Sequence, residues 1–177
     1  MKLVILDRDG TINHDSDKYI KSPEEFRPIK GSLEAIARLT QADYRVVVAT
    51  NQSGIARGLF DTHTLFAIHD TLIRALALVG GRIDAFFFCP HAPDAGCQCR
   101  KPRPGMLIEV ARRFNVSLDA VDMVGDAQRD LEAATAAGAR PVLVLTGNGA
   151  ETRAKGRLPR GTRVFPDLAA YAEHLAP

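Results

Sequence analysis

The sequence lacks the features that mark several large classes of protein. None of its apolar runs approaches the roughly 18 residues of a membrane-spanning helix. The apolar stretch that begins at Leu3 is interrupted by Asp7 and is too short for a secretion signal. No stretch is rich in basic or aromatic side chains, and the formal net charge is only +2. We therefore expect neither a membrane nor a nucleic acid as a partner.

Cysteine is also scarce, and glycine-rich phosphate loops are missing. Three cysteines are an odd number, which argues against a disulfide scaffold and for a reducing compartment, so we expect a cytoplasmic protein. Neither G-x-x-x-x-G-K-[ST] nor G-x-G-x-x-G occurs in the chain. The 177 residues, 46% hydrophobic and 25% charged, suit one globular domain over residues 1–177. Nothing in the sequence requires more than a monomer.

Short apolar runs alternate with amphipathic stretches along the chain. The runs are continuous in Val, Ile, Leu and Phe, which is typical of strands buried on both faces. This alternation predicts an α/β, Rossmann-like fold: a parallel sheet with helices on both faces and no separate cap domain. The predicted strands are residues 2–6, 45–49, 83–88, 121–124 and 141–145, with a last one near 164–165. The predicted helices are residues 32–41, 62–79 (with Thr62 as its N-cap), 105–114, 129–137 (stopped by Gly138) and 168–175, and 146–161 is expected to be a loop or a short irregular helix.

Carboxylates follow two of the predicted strands. Asp7 and Asp9 end the first strand, and residues two apart in an extended segment point to the same side. Asp126 and Asp130 follow a later strand, and Lys101 precedes them. Ligands of parallel sheets bind at the carboxyl ends of the strands, so these groups are expected to meet there. Converging carboxylates repel one another unless a hard cation neutralises them, and Mg²⁺ prefers such oxygen ligands.

This set of side chains suits phosphoryl transfer. A carboxylate beside a metal can attack phosphorus to form an aspartyl phosphate. Asp9 would protonate the leaving oxygen and then activate water. Thr50 and Lys101 would supply a hydroxyl and a positive charge to the phosphoryl oxygens.

Four segments together resemble the motifs of the haloacid dehalogenase (HAD) superfamily of phosphohydrolases. They are Asp7-Arg8-Asp9-Gly10-Thr11, Thr50-Asn51-Gln52-Ser53-Gly54, Cys99-Arg100-Lys101-Pro102 and Gly125-Asp126 with Asp130. The resemblance implies that Asp7 is the nucleophile and Asp9 the general acid and base. It implies that Mg²⁺ binds the Asp7 carboxylate, the Asp9 carbonyl and Asp126, while Asp130 orients the metal site or Lys101.

All three cysteines lie within eleven residues, with a histidine among them. Cys89, His91, Cys97 and Cys99 form the pattern Cys-x-His-x₅-Cys-x-Cys. Two or more thiolates with an imidazole are the ligands of structural zinc sites, which are tetrahedral and closed. Since the loop ends next to Lys101, we expect a structural Zn²⁺ that fixes the loop presenting this lysine.

The cysteine loop narrows the resemblance. With Arg-Lys-Pro-x-Pro-Gly-Met after it, the loop is similar to that of D-glycero-D-manno-heptose 1,7-bisphosphate 7-phosphatases and of the related histidinol-phosphate phosphatases. The heptose branch makes a precursor of the lipopolysaccharide inner core or of S-layer glycans. Many members of that branch have Lys after the fourth-motif Asp, where this chain has Ala127, and this difference affects one substrate contact.

The expected substrate is a small phosphorylated metabolite. A bisphosphate needs a second cationic partner, for which Arg100 and Arg57 are the first choices. Histidinol phosphate carries an amine and would instead favour a carboxylate in the site, such as Asp15 or Asp17. A third hypothesis is a catalytically inactive, zinc-stabilised binding module. We favour the heptose bisphosphate as substrate. The side chains expected to contact it are Arg8, Asp15, Tyr19, Asn51, Gln52, Ser53, Arg57 and Arg100.

Overall fold

The computed structural model describes residues 1–176 and contains one six-stranded parallel sheet. The strand order is β3-β2-β1-β4-β5-β6, so β1 is central and the chain extends the sheet first to one side and then to the other. The strands are β1 (Lys2–Leu6), β2 (Tyr44–Asn51), β3 (Ala85–Cys89), β4 (Asp122–Gly125), β5 (Arg140–Val144) and β6 (Arg163–Phe165). The helices are α1 (Ser32–Gln41), α2 (Thr62–Leu78), α3 (Gly105–Phe114), α4 (Gln128–Ala137), α5 (Gly149–Ala154) and α6 (Leu168–Leu175).

Two hydrophobic cores lie on opposite faces of the sheet. Successive side chains of a strand point to opposite faces. Val4 and Leu6 of β1 therefore pack in one core, with α1, α2 and α6, whereas Leu3 and Ile5 pack in the other, with α3 and α4. Over residues 1–176 no group of elements forms a separate cap domain. The predicted fold class is confirmed.

Element boundaries differ from the sequence prediction by at most two residues. Two strands differ by two residues: β2 continues to Asn51 instead of ending at residue 49, and β3 begins at Ala85 instead of residue 83. The N-cap prediction for α2 was wrong: the Asp61 carboxylate accepts a hydrogen bond from the Thr64 amide at 2.8 Å, and Thr62 is already helical. Gly138 ends α4 in the left-handed conformation as predicted. The segment 146–161 contains the six-residue helix α5.

The strand order positions the site. The connections leave β1 in opposite directions on its two sides, and in such sheets the crevice outside the carboxyl ends of the strands binds the ligand. Asp7, Asn51, Cys89 and Gly125 stand at the ends of the four strands that meet there. Within residues 1–176, no helix is both long enough and apolar enough to cross a membrane.

Candidate active site

A polar cleft opens at this edge of the sheet. Its volume is about 250 Å³. The residues expected to carry the chemistry and those expected to contact substrate contribute most of its wall. The lining residues are Asp7, Asp9, Asp15, Ser16, Asp17, Tyr19, Ile20, Thr50, Asn51, Gln52, Ser53, Arg100 and Arg129.

Asp7 is buried next to a buried lysine. Lys101 Nζ lies 2.9 Å from Asp7 Oδ1 and 2.7 Å from Asp130 Oδ1, and it donates to the Ala49 carbonyl at 2.7 Å. The Arg8 amide donates to the same Asp7 oxygen at 2.8 Å. Burial, and then the negative charge of Asp130, raise the pKa of Asp7 to about 7 in spite of Lys101. The Lys101 ammonium group is thus paired with two carboxylates and donates to one main-chain carbonyl.

Asp126 has one oxygen held by the protein and one oxygen without a partner. Its Oδ2 accepts hydrogen bonds from the Asn148 amide at 2.7 Å and from Asn148 Nδ2 at 3.1 Å. Among the described residues, none hydrogen-bonds the buried Oδ1. Burial, followed by the charge of Asp130, raises the pKa of Asp126 to about 6.

Two glycines make room for Asp126. Gly10 has a φ of +82° and Gly147 a φ of +53°, and a Cβ atom added at either position would collide with Asp126 Oδ2. Glycine adopts this conformation without steric cost, and its missing side chain lets the backbone approach the carboxylate. The Thr146 hydroxyl donates to the Gly10 carbonyl at 2.7 Å, which joins the two glycine segments around the carboxylate.

The carboxylate group fits a magnesium ion. Oxygen atoms of Asp7, Asp126 and Asp130 lie within 4.8 Å of one another. Burial, followed by the charge of Asp130, raises the pKa values of Asp7 and Asp126, and Asp126 Oδ1 is an oxygen without a hydrogen-bond partner among the described residues. A divalent cation held by oxygen ligands relieves both features. Asp130 belongs to this group geometrically, but its ion pair with Lys101 suits the orienting role implied by the resemblance.

Asp9 points to a different set of partners from Asp7. Arg8 Nε and Nη2 donate to Asp9 Oδ1 at 3.0 and 2.9 Å, and Nη2 also reaches Oδ2 at 3.1 Å. Asn13 Nδ2 donates to Oδ1 and Gln52 Nε2 to Oδ2, both at 2.9 Å. Burial alone would raise the pKa of Asp9, but Arg8 and these hydrogen bonds hold it below its usual value.

The end of β2 and the residue after it connect the carboxylates to the lysine. Gln52 Nε2 also donates to Thr50 Oγ1 at 2.8 Å, so one amide bridges Asp9 and Thr50. Asn51 accepts a hydrogen bond from the Lys101 amide at 3.1 Å and donates to the Lys101 carbonyl at 3.0 Å. Asn51 lines the cleft, and its side-chain amide is used to fix the backbone of Lys101.

Two of the arginines expected to contact substrate lie elsewhere. Arg8 is fully buried and does not line the cleft, because its guanidinium faces Asp9 and His69, so it cannot reach a ligand there. Arg57 is exposed outside the cleft, with its guanidinium 6.0 Å from the centre of the Tyr19 ring. The buried Arg8 side chain is therefore corrected as a substrate contact, whereas Arg57, beside the cleft residue Tyr19, stays a prediction.

The cationic side of the cleft is formed by Arg100 and Arg129. Arg100 was expected from its position beside Lys101. Arg129 was missed by sequence reasoning, which treated it only as the start of a helix. Among the described residues no partner hydrogen-bonds the buried atoms Arg100 Nη1 and Arg129 Nε. Asp15, Tyr19 and Ser53 line the cleft as expected. Burial, followed by the charge of Asp9, raises the pKa of Asp15.

The cysteine loop brings its four predicted ligands together. The Sγ atoms of Cys89 and Cys97 are 3.6 Å apart, and those of Cys89 and Cys99 are 3.3 Å apart. His91 Nδ1 lies 3.5 Å from Cys89 Sγ and 3.3 Å from Cys99 Sγ. A tetrahedral zinc site with metal–sulfur bonds of about 2.3 Å has edges of about 3.8 Å, so this donor set fits Zn²⁺. The Cys97 carbonyl accepts a hydrogen bond from Arg103, which joins the loop to the segment after Lys101.

Known proteins resemble this chain over nearly its whole length. Residues 98–171 match the HAD-hydrolase-like family. D-glycero-β-D-manno-heptose-1,7-bisphosphate 7-phosphatase of Bordetella bronchiseptica is 64% identical over 175 residues, which are 99% of this chain and 98% of that protein. The enzyme of that name from Pseudomonas putida is 55% identical over 175 residues, covering 99% of both chains.

A solved structure shares the fold described above. The crystal structure of D,D-heptose 1,7-bisphosphate phosphatase from B. bronchiseptica, complexed with magnesium and phosphate, superimposes with a TM-score of 0.98. The match covers 99% of this chain and 98% of that one, at 64% identity. The chain belongs to the D-glycero-β-D-manno-heptose-1,7-bisphosphate 7-phosphatase family of HAD-like phosphatases.

Proposed function

We propose that this protein removes the 7-phosphate of D-glycero-β-D-manno-heptose 1,7-bisphosphate by way of an aspartyl-phosphate intermediate. The observation that carries the proposal is the pair of carboxylates at the end of β1. Asp7 and Asp9 both line one polar cleft. Asp7 lies beside the carboxylates of Asp126 and Asp130, which could hold a metal ion, whereas Asp9 lies beside hydrogen-bond donors. Relatives with this activity in their names, 64% and 55% identical, support the substrate.

Asp7 is the nucleophile in this proposal. Its Oδ1 is held by Lys101 and by the Arg8 amide, so we assign the attack to Oδ2. The new Oδ2–P bond forms as the bond from phosphorus to the sugar oxygen breaks. Lys101 favours the ionised form of Asp7 and orients it, and the Thr50 hydroxyl lies in the cleft to bind the transferring group.

Asp9 moves the proton in both halves of the reaction. In the first half its carboxyl group donates a proton to the departing sugar oxygen. In the second half the carboxylate takes a proton from water as the water oxygen attacks phosphorus, which breaks the Oδ2–P bond and frees Asp7 and inorganic phosphate. Asn13 and Gln52 hold the carboxyl group between these transfers.

Two metals have separate places in the proposal. Mg²⁺, when bound by Asp7, Asp126 and the Asp9 main-chain carbonyl, neutralises the carboxylates and the phosphoryl oxygens. The bound magnesium and phosphate of the B. bronchiseptica enzyme support this choice of metal. Zn²⁺ in the Cys89–His91–Cys97–Cys99 set is structural, since four protein ligands fill its coordination shell.

Arg100 and Arg129 bind the second phosphate in this proposal. Both line the cleft, and each has a buried guanidinium nitrogen without a partner among the described residues. Guanidinium groups pair with phosphate oxygens in a bidentate manner. Replacing either by Ala is expected to raise KM for the bisphosphate at least about tenfold, equivalent to one lost charge-assisted hydrogen bond. Steady-state kinetics check this, with the exposed Arg112→Ala as the matched control.

We also propose that the chain acts as a single domain and a cytoplasmic monomer in the synthesis of a lipopolysaccharide core precursor. Three cysteines are an odd number, which argues against a disulfide scaffold and for a reducing compartment. Light scattering of the purified protein tests the monomer, and cell fractionation tests the compartment.

Phosphate release across a substrate panel is the decisive test of function. The panel contains both anomers of the heptose bisphosphate, other sugar bisphosphates and histidinol phosphate, each with and without Mg²⁺. We expect the β anomer of the heptose bisphosphate to have the highest kcat/KM and to require Mg²⁺. A higher kcat/KM for histidinol phosphate would instead indicate that Asp15 and Asp17 of the cleft bind the amine of that substrate. If no substrate is hydrolysed, the result supports the alternative that the protein is a catalytically inactive binding module.

A further inference from the structure

A buried arginine and a buried histidine lie behind Asp9, and the catalytic steps above use neither side chain. Arg8 is 0% exposed, whereas the Asp9 side chain is 19% exposed toward the cleft. Arg8 uses Nε and Nη2 on the Asp9 carboxylate and directs its remaining nitrogen, Nη1, away from the cleft. Nη1 lies 3.3 Å from His69 Nε2. The guanidinium is therefore held on two sides by different partners.

His69 is fixed in turn by helix α2 and strand β3. Its ring stacks on Phe86 with centroids 4.1 Å apart and planes inclined by 13°, and only 4% of the residue is exposed. Burial, followed by the charge of Arg8, lowers the pKa of His69 to about 3, so the ring is neutral at physiological pH. Since the Arg8 nitrogen can only donate, His69 Nε2 is the acceptor.

We propose that Arg8 and His69 are positioning residues for proton transfer, with His69 holding the guanidinium so that it fixes the direction of the Asp9 carboxyl group. This inference rests on the proposed role of Asp9. An arginine bound to a carboxylate by two nitrogens sets the plane of the carboxylate, but the guanidinium plane itself needs a third contact. His69 supplies that contact from an element that holds no other part of the site.

Substrates with different leaving groups separate positioning from general structure. The sugar alkoxide is a poor leaving group and needs the proton from Asp9, whereas 4-nitrophenolate leaves without one. A loss of Asp9 orientation therefore lowers kcat/KM for the heptose bisphosphate but not for 4-nitrophenyl phosphate. A loss of folded protein lowers both equally.

The experiment compares two replacements of His69. His69→Phe keeps a ring against Phe86 and removes the acceptor, and we expect at least a tenfold loss of kcat/KM on the heptose bisphosphate, with less than a twofold change on 4-nitrophenyl phosphate; losses of about 10- to 100-fold are typical when a supporting contact of a site is removed. His69→Gln keeps an acceptor and should retain activity within about threefold. Arg8→Lys, which cannot donate from two nitrogens to Asp9 and also reach His69, should repeat the selective loss even if His69→Phe does not fold.

Controls distinguish this inference from the proposed function. His63→Ala, on the exposed side of the same helix, should match the wild type on both substrates. Asp9→Asn should lose activity selectively on the heptose bisphosphate; if it does not, the role of Asp9 itself is wrong. If Asp9→Asn is selective but His69→Phe and Arg8→Lys lower both substrates in parallel, or lower neither, the positioning role is overturned and the proposed function stands.

Discussion

Asp7 and Asp9 are two positions apart at the end of one strand, yet their surroundings give them opposite tendencies to hold a proton. Asp7 shares its environment with Asp130 and Asp126, and its pKa rises to about 7 because burial and negative charge both disfavour ionisation. Asp9 is surrounded by donors, and its pKa falls below the usual value. In the metal-free protein these tendencies are the reverse of what the proposed tasks need, because a nucleophile must be ionised and a general acid protonated; a cation bound by Asp7 and Asp126 would favour the ionised form of Asp7.

Asp7→Asn tests the nucleophile. We expect phosphate release to fall at least about 10³-fold, since an amide cannot form the aspartyl phosphate. The fold and the zinc content should be unchanged, because the Asp7 carboxylate is a source of repulsion and not of stability in the metal-free protein. Kinetics, a circular-dichroism melt and elemental analysis measure the activity, the fold and the zinc content. Retained activity in a folded variant would contradict the assignment.

The buried, neutral His69 is expected to make the folded protein less stable at acidic pH. Its folded pKa of about 3 lies below the unfolded value of 6.5, so between these pH values the unfolded chain binds a proton that the folded chain does not. The free energy of unfolding should therefore fall as pH drops below about 6.5, by up to about 1.4 kcal/mol per pH unit from this residue. His69→Gln should remove that contribution. Denaturant melts at pH 7 and pH 5 of both proteins measure it; an identical pH dependence would count against it.

The loop between β3 and α3 joins two functions within thirteen residues. Its cysteines and histidine form a compact donor set, and Lys101 follows directly. Asn51, at the end of β2, then clamps the Lys101 backbone with two hydrogen bonds. The position of the Lys101 ammonium group thus depends on the cysteine and histidine cluster before it in the chain and on Asn51 at the end of β2.

Removing two zinc ligands should weaken catalysis without stopping it. Cys97→Ser with Cys99→Ser is expected to abolish zinc binding and to lower kcat about 10- to 100-fold, because Lys101 is positioned less well. Elemental analysis should give about one zinc per chain for the wild type and none for the variant. The exposed Asp94→Ala in the same loop is the control. Unchanged kinetics in the zinc-free variant would separate the loop from the lysine.

The molecule as a whole is expected to respond to Mg²⁺ through its stability. A cation that binds only the folded chain stabilises it by about 2.7 kcal/mol at a concentration of 100 times Kd. Thermal melts of the zinc-loaded protein without and with added Mg²⁺ should therefore differ for the wild type. Asp126→Asn, which removes a charge from the carboxylate group, should lose most of this shift. An equal shift in both proteins would place the magnesium elsewhere.

The sequence predicted the sheet because its strands are continuous apolar runs, and it predicted the cleft because polar residues directly follow those runs. It could not predict that the Arg8 side chain points into the protein and away from the cleft, because the in-and-out alternation of a strand no longer holds in the turn that follows it. His69 is 61 positions away from Arg8, and only the packing of α2 on the sheet brings them together. Arg129 was missed because a cation in a first helical turn has no local signal of a cleft.

Gly10 and Gly147 are positions at which the sequence of this protein is expected to tolerate few mutations. Each backbone lies against the same oxygen of Asp126, so even one added methyl group at either position displaces the carboxylate that follows the neighbouring strand β4. In a saturation library selected for growth that depends on the enzyme's activity, we expect glycine alone to survive at both positions. Neither glycine has a side chain to take part in chemistry, yet mutational tolerance there should be as low as at the nucleophile itself.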